Sequence, residues 1–334
     1  MHVLQLDGID QPLHLQQVPT PEPGPGQVLV QLHAAALNHR DVWIQKGQYA
    51  GLRYPCILGS DGAGVITELG EGVEEALRGQ AVVINPGHNW GDNPHAQARS
   101  FTILGLPHQG TFAEYVSVDA RYVRSLPQHL SFEQAAALPL GGVTAYRAAF
   151  TRARLQPGER VLITGIGGGV ALLALQMAVA VGAQVWVTSG SAAKLEQARQ
   201  LGAKGGASYK EEKWASELVK QAGGPFDVII DSAAGAGFEA LLDAAAPGGR
   251  IVFYGGTLGA IPQLPPAKVF WKQLSILGST MGTEQDFAAM LSLVEQHRLV
   301  PVVDQVLPLA QGEAAMRRMD EGQQFGKIVL KIRS

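Results

Sequence analysis

The spacing of hydrophobic positions changes near residue 159. Before it, short β-rich runs (QVLVQLHAAAL, GAGVITELG, AVVINPG and TFAEYVSV) are broken by Gly, Pro and polar stretches. That pattern, from Met1 to about Arg124, predicts a mostly antiparallel, barrel-like unit with long loops. One loop, Pro86 to Gly110, is polar and irregular, of a length that is either functional or residual decoration. From Glu159 onward, strand-like and helix-like segments alternate. Arg160 to Thr164 is a short apolar run, followed by GIGGG and then by ALLALQMAVAVGA at helical spacing. QVWVTS, the helix KLEQARQLGA, the strand DVIIDS, a helix through ALLDAAAPGG, RIVFYGG and the strand LSILGST follow in order. Alternation of this kind predicts right-handed βαβ units and a parallel sheet, hence an α/β fold. The strand-like tail FGKIVLKI is expected to return to the first unit. The expected division is 1–125, completed by 285–334, and 126–284.

Composition narrows the class. A hydrophobic fraction of 46% with 16% charged residues suits a globular protein. The 41 glycines have no collagen-like period and point to turns and close backbone approaches. Net charge is −3 with no basic stripe, so nucleic acid is not expected as the main partner. The start MHVLQLDGIDQPLH lacks the pattern of a signal peptide. The longest apolar run, Val170 to Ala183, is short for a membrane span and is interrupted by Gln176. A cytoplasmic protein acting on a small molecule is the expectation. A single cysteine, Cys56, excludes an internal disulfide and any multi-cysteine metal site.

The segment VLITGIGGGVALLALQMA places glycines between a predicted strand and a predicted helix. Small residues there let backbone N–H groups reach a pyrophosphate at a helix N-terminus, so the glycine loop, Gly165 and Gly167 included, is a candidate dinucleotide site. The third fingerprint glycine is replaced by Ala171. The cofactor's identity is read at the end of the next strand, where an acid would bond the ribose 2′-hydroxyl of NAD. No acid occurs from Val185 to Lys194. Ser189 and Ser191 can instead donate to a 2′-phosphate and Lys194 can supply charge, which favours NADPH over NADH. An ordinary loop with a solvated lysine is the plain alternative.

Taken together, ALNHRDVWIQKG, LGSDGAGVITELGEGV, GTFAEYV, AALPLGGVTAYRA, TGIGGGVA, APGGRIVFYGG and FGKIVLKI resemble the medium-chain dehydrogenase/reductase superfamily over essentially the whole chain. The resemblance implies a GroES-like catalytic domain plus a Rossmann domain, with the active site in the cleft between them. Zinc alcohol dehydrogenases of that superfamily carry a Gly-His-Glu motif where this chain has Gly59-Ser60-Asp61, and their two catalytic cysteine ligands correspond to Asn38 and Leu140. None of the three replacements is a soft donor or an imidazole. The four-cysteine structural zinc lobe is also missing. His88, His95 and His108, spaced by seven and thirteen, fit no recognisable site and are expected at the surface.

The chain therefore is most similar to the zinc-independent quinone oxidoreductases. By that resemblance Asn38 lies beside the nicotinamide, with Asp41 in the same motif. Thr144 touches the cofactor, Gly168, Gly169 and Val170 lie against the pyrophosphate, Tyr209 lies near the adenosine end, and Ser232, Tyr254 and Gly255 line the cofactor at strand ends. Lys327 matches a position near the phosphates. The plain alternatives are a helix cap for Thr144, a turn for Asp41 and a solvated edge-strand lysine for Lys327. Tyr49 matches the proton-donating tyrosine of the related enoyl thioester reductases, or else is a packing residue with its hydroxyl in water. Trp43 and the Trp90 loop are expected to line an apolar pocket.

Without a Lewis acid, an alkoxide has no strong electrostatic partner, which disfavours simple alcohol oxidation. Quinones and conjugated carbonyls delocalise the charge of an incoming hydride themselves, leaving the protein mainly to position the reactants. Hydride transfer from NADPH to a quinone is the expected activity. Reduction of an enone or enoyl thioester double bond through Tyr49 is the first alternative, and a non-catalytic NADPH-binding protein is another. The apolar strand LSILGST predicts a homodimer through edge pairing.

Overall fold

The computed structural model describes residues 1–333 and has two compact units, Met1–Gly141 with the segment from Thr283 onward, and Gly142–Gly282. The first unit runs on past residue 125 because the helix Phe132–Ala136 packs on the strands Gln27–Ala36 and Asp61–Leu69. The Leu140 N–H then donates to Asp61 Oδ1 at 2.7 Å, holding the segment to the same sheet.

In the first unit the order across the main sheet is Val123–Ser125, Ala81–Ile84, Asp61–Leu69, Gln27–Ala36, Lys327–Lys331 and Val303–Pro308, with Tyr115–Asp119 also on Gln27–Ala36. The pairs are antiparallel except the last two strands, which are parallel. This is the GroES-like part of the fold. The tail does return to this unit, with Val329 opposite Ala36. Val28, Val30 and Leu32 of Gln27–Ala36 join an apolar cluster with Ile66, Val82 and Ile84, and Ala35 joins a second one with Leu4, Leu37, Phe112 and Met316. Burial on both faces explains why QVLVQLHAAA is nearly continuously apolar.

The second unit is a six-stranded parallel sheet ordered Gly205–Ser208, Gln184–Ser189, Arg160–Ile163, Phe226–Asp231, Ala245–Phe253, Ser275–Gly278. In chain order that is three, two, one, four, five, six: the Rossmann arrangement, whose direction reverses beside the Arg160–Ile163 strand. The helix Gly169–Ala180 buries residues all round, as its apolar composition requires. Two features differ from the sequence expectation. Gly205–Ser208, with a sequence GGAS of low strand propensity, is a strand because Trp186 through Ser189 offer it a ladder. The helix expected through ALLDAAAPGG stops at Ala244, and a strand starts at Ala245, where Phe226 pairs with it across a bulge.

Candidate active site

In the first unit the central strand ends at Ala36, and Asn38 precedes the helix His39–Gln45. Asp61 lies opposite Ala36 on one side and Val329 lies opposite it on the other. The register therefore brings Asp61 and Lys327 to either side of Asn38. Lys327 Nζ donates to Asn38 Oδ1 at 2.7 Å and to Asp61 Oδ2 at 2.9 Å, and Asn38 Nδ2 donates to Asp61 Oδ2 at 2.9 Å. All three side chains are buried. Lys327 is 4% exposed, so it is not a solvated edge lysine. The Asn38 amide is fixed in orientation, since its oxygen faces a cation and its nitrogen a carboxylate.

Asp41 sits in the first turn of the helix, fully buried, rather than in an open turn. Its Oδ2 accepts the Asn38 N–H at 2.8 Å, and its Oδ1 has no hydrogen-bond partner. Burial pushes its carboxyl up to about 6, opposed chiefly by the nearby Arg40.

Arg40 and Ser60 were not among the expected site residues. Arg40 Nη1 donates to Ser60 Oγ at 2.7 Å and to the Leu104 carbonyl at 2.8 Å, and Ser60 Oγ donates to that same carbonyl at 2.7 Å. The Arg40 guanidinium lies over the Tyr49 ring, 5.0 Å from its centroid, with Nε 3.4 Å from the Tyr49 hydroxyl. Tyr49 thus packs against the first-unit core with its hydroxyl facing a cation. The only sequence signal for this cluster was the polar run Asn38-His39-Arg40-Asp41 set between apolar residues. Leu104 belongs to the Pro86–Gly110 loop, which is thereby tied to the site. Within that loop Trp90 is buried, its Nε1 donates to the Asn93 carbonyl at 2.9 Å, and its ring meets Phe101 edge-on. His88 is not at the surface as expected: it is buried, stacked on Tyr122, and burial lowers its imidazole to about 4. Among the described residues no group of three His, Cys, Asp or Glu is placed to hold a metal ion.

In the second unit the glycine loop follows the strand Arg160–Ile163. Gly165 has φ +64° and Gly167 φ +134°, conformations that side-chain-bearing residues rarely adopt. Gly168 is the N-cap, with open space where a Cβ would stand, and Gly169 and Val170 begin the helix. The N–H groups of Gly165 and Ile166 are taken by Thr188, while Gly168, Gly169 and Val170 stand at the helix N-terminus, where backbone N–H groups lack intrahelical partners. Beside it, Thr164 Oγ1 donates to Asp231 Oδ1 at 2.5 Å, and Asp231 Oδ2 accepts the N–H groups of Ala233 and Ala234. This brace across the switch point was not anticipated, although DVIIDS carries its acid. Ser232, Tyr254 and Gly255 lie at the ends of neighbouring strands; the Tyr254 N–H donates to the Asp231 carbonyl at 3.0 Å. Tyr254 and Gly255 line a cavity of about 430 Å³ with Phe253, Ile261 and Ser279. Thr144 lies in the helix Pro139–Tyr146, its hydroxyl 3.9 Å from the Met281 sulfur. Ser189 and Ser191 flank Gly190, with Ser191 capping the helix Ala192–Gln200 that carries Lys194. Tyr209 is half exposed just beyond the Gly205–Ser208 strand.

Comparison with known proteins agrees with this architecture. Residues 24–128 match the alcohol dehydrogenase GroES-like domain family, and residues 169–296 match the family described as zinc-binding dehydrogenase. A zinc-type alcohol dehydrogenase-like protein (YogA) of Leptosphaeria maculans is 37% identical over 96% of this chain and 95% of its own. The crystal structure of an NAD-dependent alcohol dehydrogenase superposes with a TM-score of 0.94 at 40% identity, covering 99% of this chain and 100% of that one. A 2-octenoyl-CoA carboxylase reductase in complex with NADP and 2-octenoyl-CoA has a TM-score of 0.90 at 26% identity, over 99% of this chain and 87% of that one.

Proposed function

This chain belongs to the medium-chain dehydrogenase/reductase superfamily, and we propose that it is a zinc-independent member that passes a hydride from NADPH to a quinone or similar conjugated carbonyl acceptor. The observation that carries this reading is the Lys327 ammonium bonded to Asn38 and Asp61. At the three positions where zinc relatives hold the metal, Asn38 Oδ1 already faces that cation. Ser60 is committed to Arg40 and the Leu104 carbonyl, and Leu140 has no side-chain donor atom. Such a set does not fit a zinc ion, and a dication beside an ammonium would be repelled.

The glycine loop fits a dinucleotide, and NADPH, when bound, supplies the hydride. The chain's own part is to seat the pyrophosphate on the N–H groups of Gly168, Gly169 and Val170. Ser189, Ser191 and Lys194 meet the 2′-phosphate, and the Lys327–Asp61 pair fixes Asn38. The relative named NAD-dependent stands against this cofactor preference by its name; the acid-free stretch from Val185 to Lys194 supports it.

The contact of Tyr49 with Arg40 favours a second reading, in which the acceptor is an enone or enoyl thioester. The Tyr49 hydroxyl would hand its proton to the carbon next to the carbonyl, and the relative bound to 2-octenoyl-CoA lends that reading weight. The test follows NADPH oxidation against a benzoquinone, a naphthoquinone, an enone, an enoyl thioester and an aldehyde, with the protein's zinc content measured alongside. Quinone turnover that spares the aldehyde, without stoichiometric zinc, is the expected outcome. If the enone is preferred, Tyr49→Phe should cut its kcat by 10² or more and move the assignment to double-bond reduction. NADPH binding without turnover would make this a binding protein, and one zinc per chain would overturn the proposal.

We also assign the protein to the cytoplasm as a homodimer. No helix among the described residues is long and apolar enough to cross a membrane. The strand Ser275–Gly278 pairs on one side only, and Phe270 and Trp271, just before it, are 61% and 80% exposed. An unpaired edge beside exposed aromatics favours pairing with a second copy. Light scattering should give twice the chain mass, and Trp271→Glu should shift it towards the monomer; a wild-type monomer would refute the assignment.

A further inference from the structure

We propose that Arg40 anchors a carboxylate of the acceptor, an assignment that rests on the reductase reading above. The substrate is then a conjugated carbonyl compound that also carries a carboxyl group. Arg40 is 6% exposed, and its guanidinium has two unequal sides. Nη1 is fully engaged, 2.7 Å from Ser60 Oγ and 2.8 Å from the Leu104 carbonyl. Nε and Nη2 together form the side edge of the fork. Their contacts are 3.4 Å long, one with the Tyr49 hydroxyl and one with the Leu106 carbonyl. Ordinary bonds of this kind are about 2.9–3.0 Å long, so that edge is weakly held.

None of these partners is a carboxylate, and a guanidinium taken out of water without an anion is costly. Asp41, the next residue, gives its Oδ2 to the Asn38 N–H instead. The buried Lys327 ammonium of the same unit, by contrast, has Asp61 as its anion. The edge left to Arg40 is the one a carboxylate fits best, with two N–H groups at the spacing of two carboxylate oxygens. A single developing oxyanion would fill half of it. The edge belongs to the proposed reaction site, because Arg40 holds Ser60, Asp61 follows Ser60, and Asp61 holds Asn38. Its cover is thin. The Tyr49 ring lies over the guanidinium, 5.0 Å from ring centroid to Cζ, and Gln48 and Ala50 on either side of Tyr49 are exposed.

The experiment follows NADPH oxidation on the full chain with an aroylacrylic acid and its methyl ester, and with a quinone carboxylate and its methyl ester. The wild type should favour the acid of each pair by about tenfold or more in kcat/KM, the worth of one charge-assisted contact, with the difference in KM. Arg40→Gln should bring the acid-to-ester ratio to about one. Arg40→Lys, which keeps the charge but not the fork, should retain part of it. A wild type that uses acid and ester alike would overturn the assignment while the reductase reading stands. So would equal losses on acid and ester in Arg40→Gln, which would give Arg40 a structural part or a role at the developing oxyanion. Calorimetry with the saturated aroylpropionic acid and its amide keeps the two proposals apart. Acid binding that is lost in Arg40→Gln, without turnover of any acceptor, would leave the carboxylate site and remove the reductase reading. Acid and amide bound alike, again without turnover, would remove both.

Discussion

Lys327→Met should lower the free energy of unfolding by about 3–5 kcal/mol, the usual cost of removing one partner from a buried ion pair. Asp61 has no exposed surface, and its two oxygens take the Leu140 N–H, the Asn38 amide and the Lys327 ammonium. With Lys327 gone, two neutral donors remain for a buried carboxylate, and they cannot offset its desolvation. The attribution is checked by the double variant Asp61→Asn, Lys327→Met, which leaves no charge behind. If the loss comes from the orphaned carboxylate, urea denaturation will show the double variant recovering most of it. If Lys327 contributes only its packed stem, the double variant will be as unstable as the single one. Activity separates the two roles further. The Asn38 amide loses one of its two restraints in Lys327→Met, so kcat should fall in protein that is still folded.

Asp41→Asn should change the pH dependence of stability, with a gain over the wild type that grows as the pH rises. The Asp41 carboxyl is raised by burial from 3.8 to about 6. Below pH ~4 both the folded and the unfolded chain hold the proton, and burial of this group costs nothing through ionisation. Between pH ~4 and ~6 the unfolded chain ionises while the folded chain keeps its proton, so wild-type stability falls as pH rises. Above pH ~6 the loss is complete at roughly 3 kcal/mol, taking ~1.4 kcal/mol for each tenfold change in proton affinity. Asparagine keeps a carbonyl oxygen for the Asn38 N–H and does not titrate. The difference between variant and wild type should therefore widen by roughly 3 kcal/mol from pH 4 to pH 7 and then level off. Parallel stability curves across that range would mean that Asp41 ionises as an exposed aspartate does.

Much of the fold was legible because its signals are local. The period change near Glu159 marks where parallel strands begin, since a strand buried on both faces must be apolar throughout. The glycines of GIGGG announce a backbone that others cannot adopt, and φ values of +64° and +134° at Gly165 and Gly167 bear out that need. Where local propensity and tertiary ladder disagree, the ladder wins. GGAS is a strand only because Gln184–Ser189 lies beside it, and PGG continues a strand that begins where a helix was expected to persist. His88 looked like a surface residue because sequence carries no sign of the Tyr122 ring stacked on it.

The candidate site divides in the same way. The sequence by itself determined the replacement of soft metal donors by Asn38, Ser60 and Leu140, the glycine loop, and the lack of an acid after the second strand. Those are statements about which atoms are present. What surrounds those atoms was decided by the tertiary structure. Lys327 and Asn38 are 289 residues apart, and Arg40 reaches the Leu104 carbonyl across 64. Pairing of Val329 with Ala36, and of Asp61 with the same residue, sets an ammonium and a carboxylate on either side of one amide. A cation's partner is fixed by strand register, and register is the sum of many backbone bonds and buried side chains that no single segment specifies.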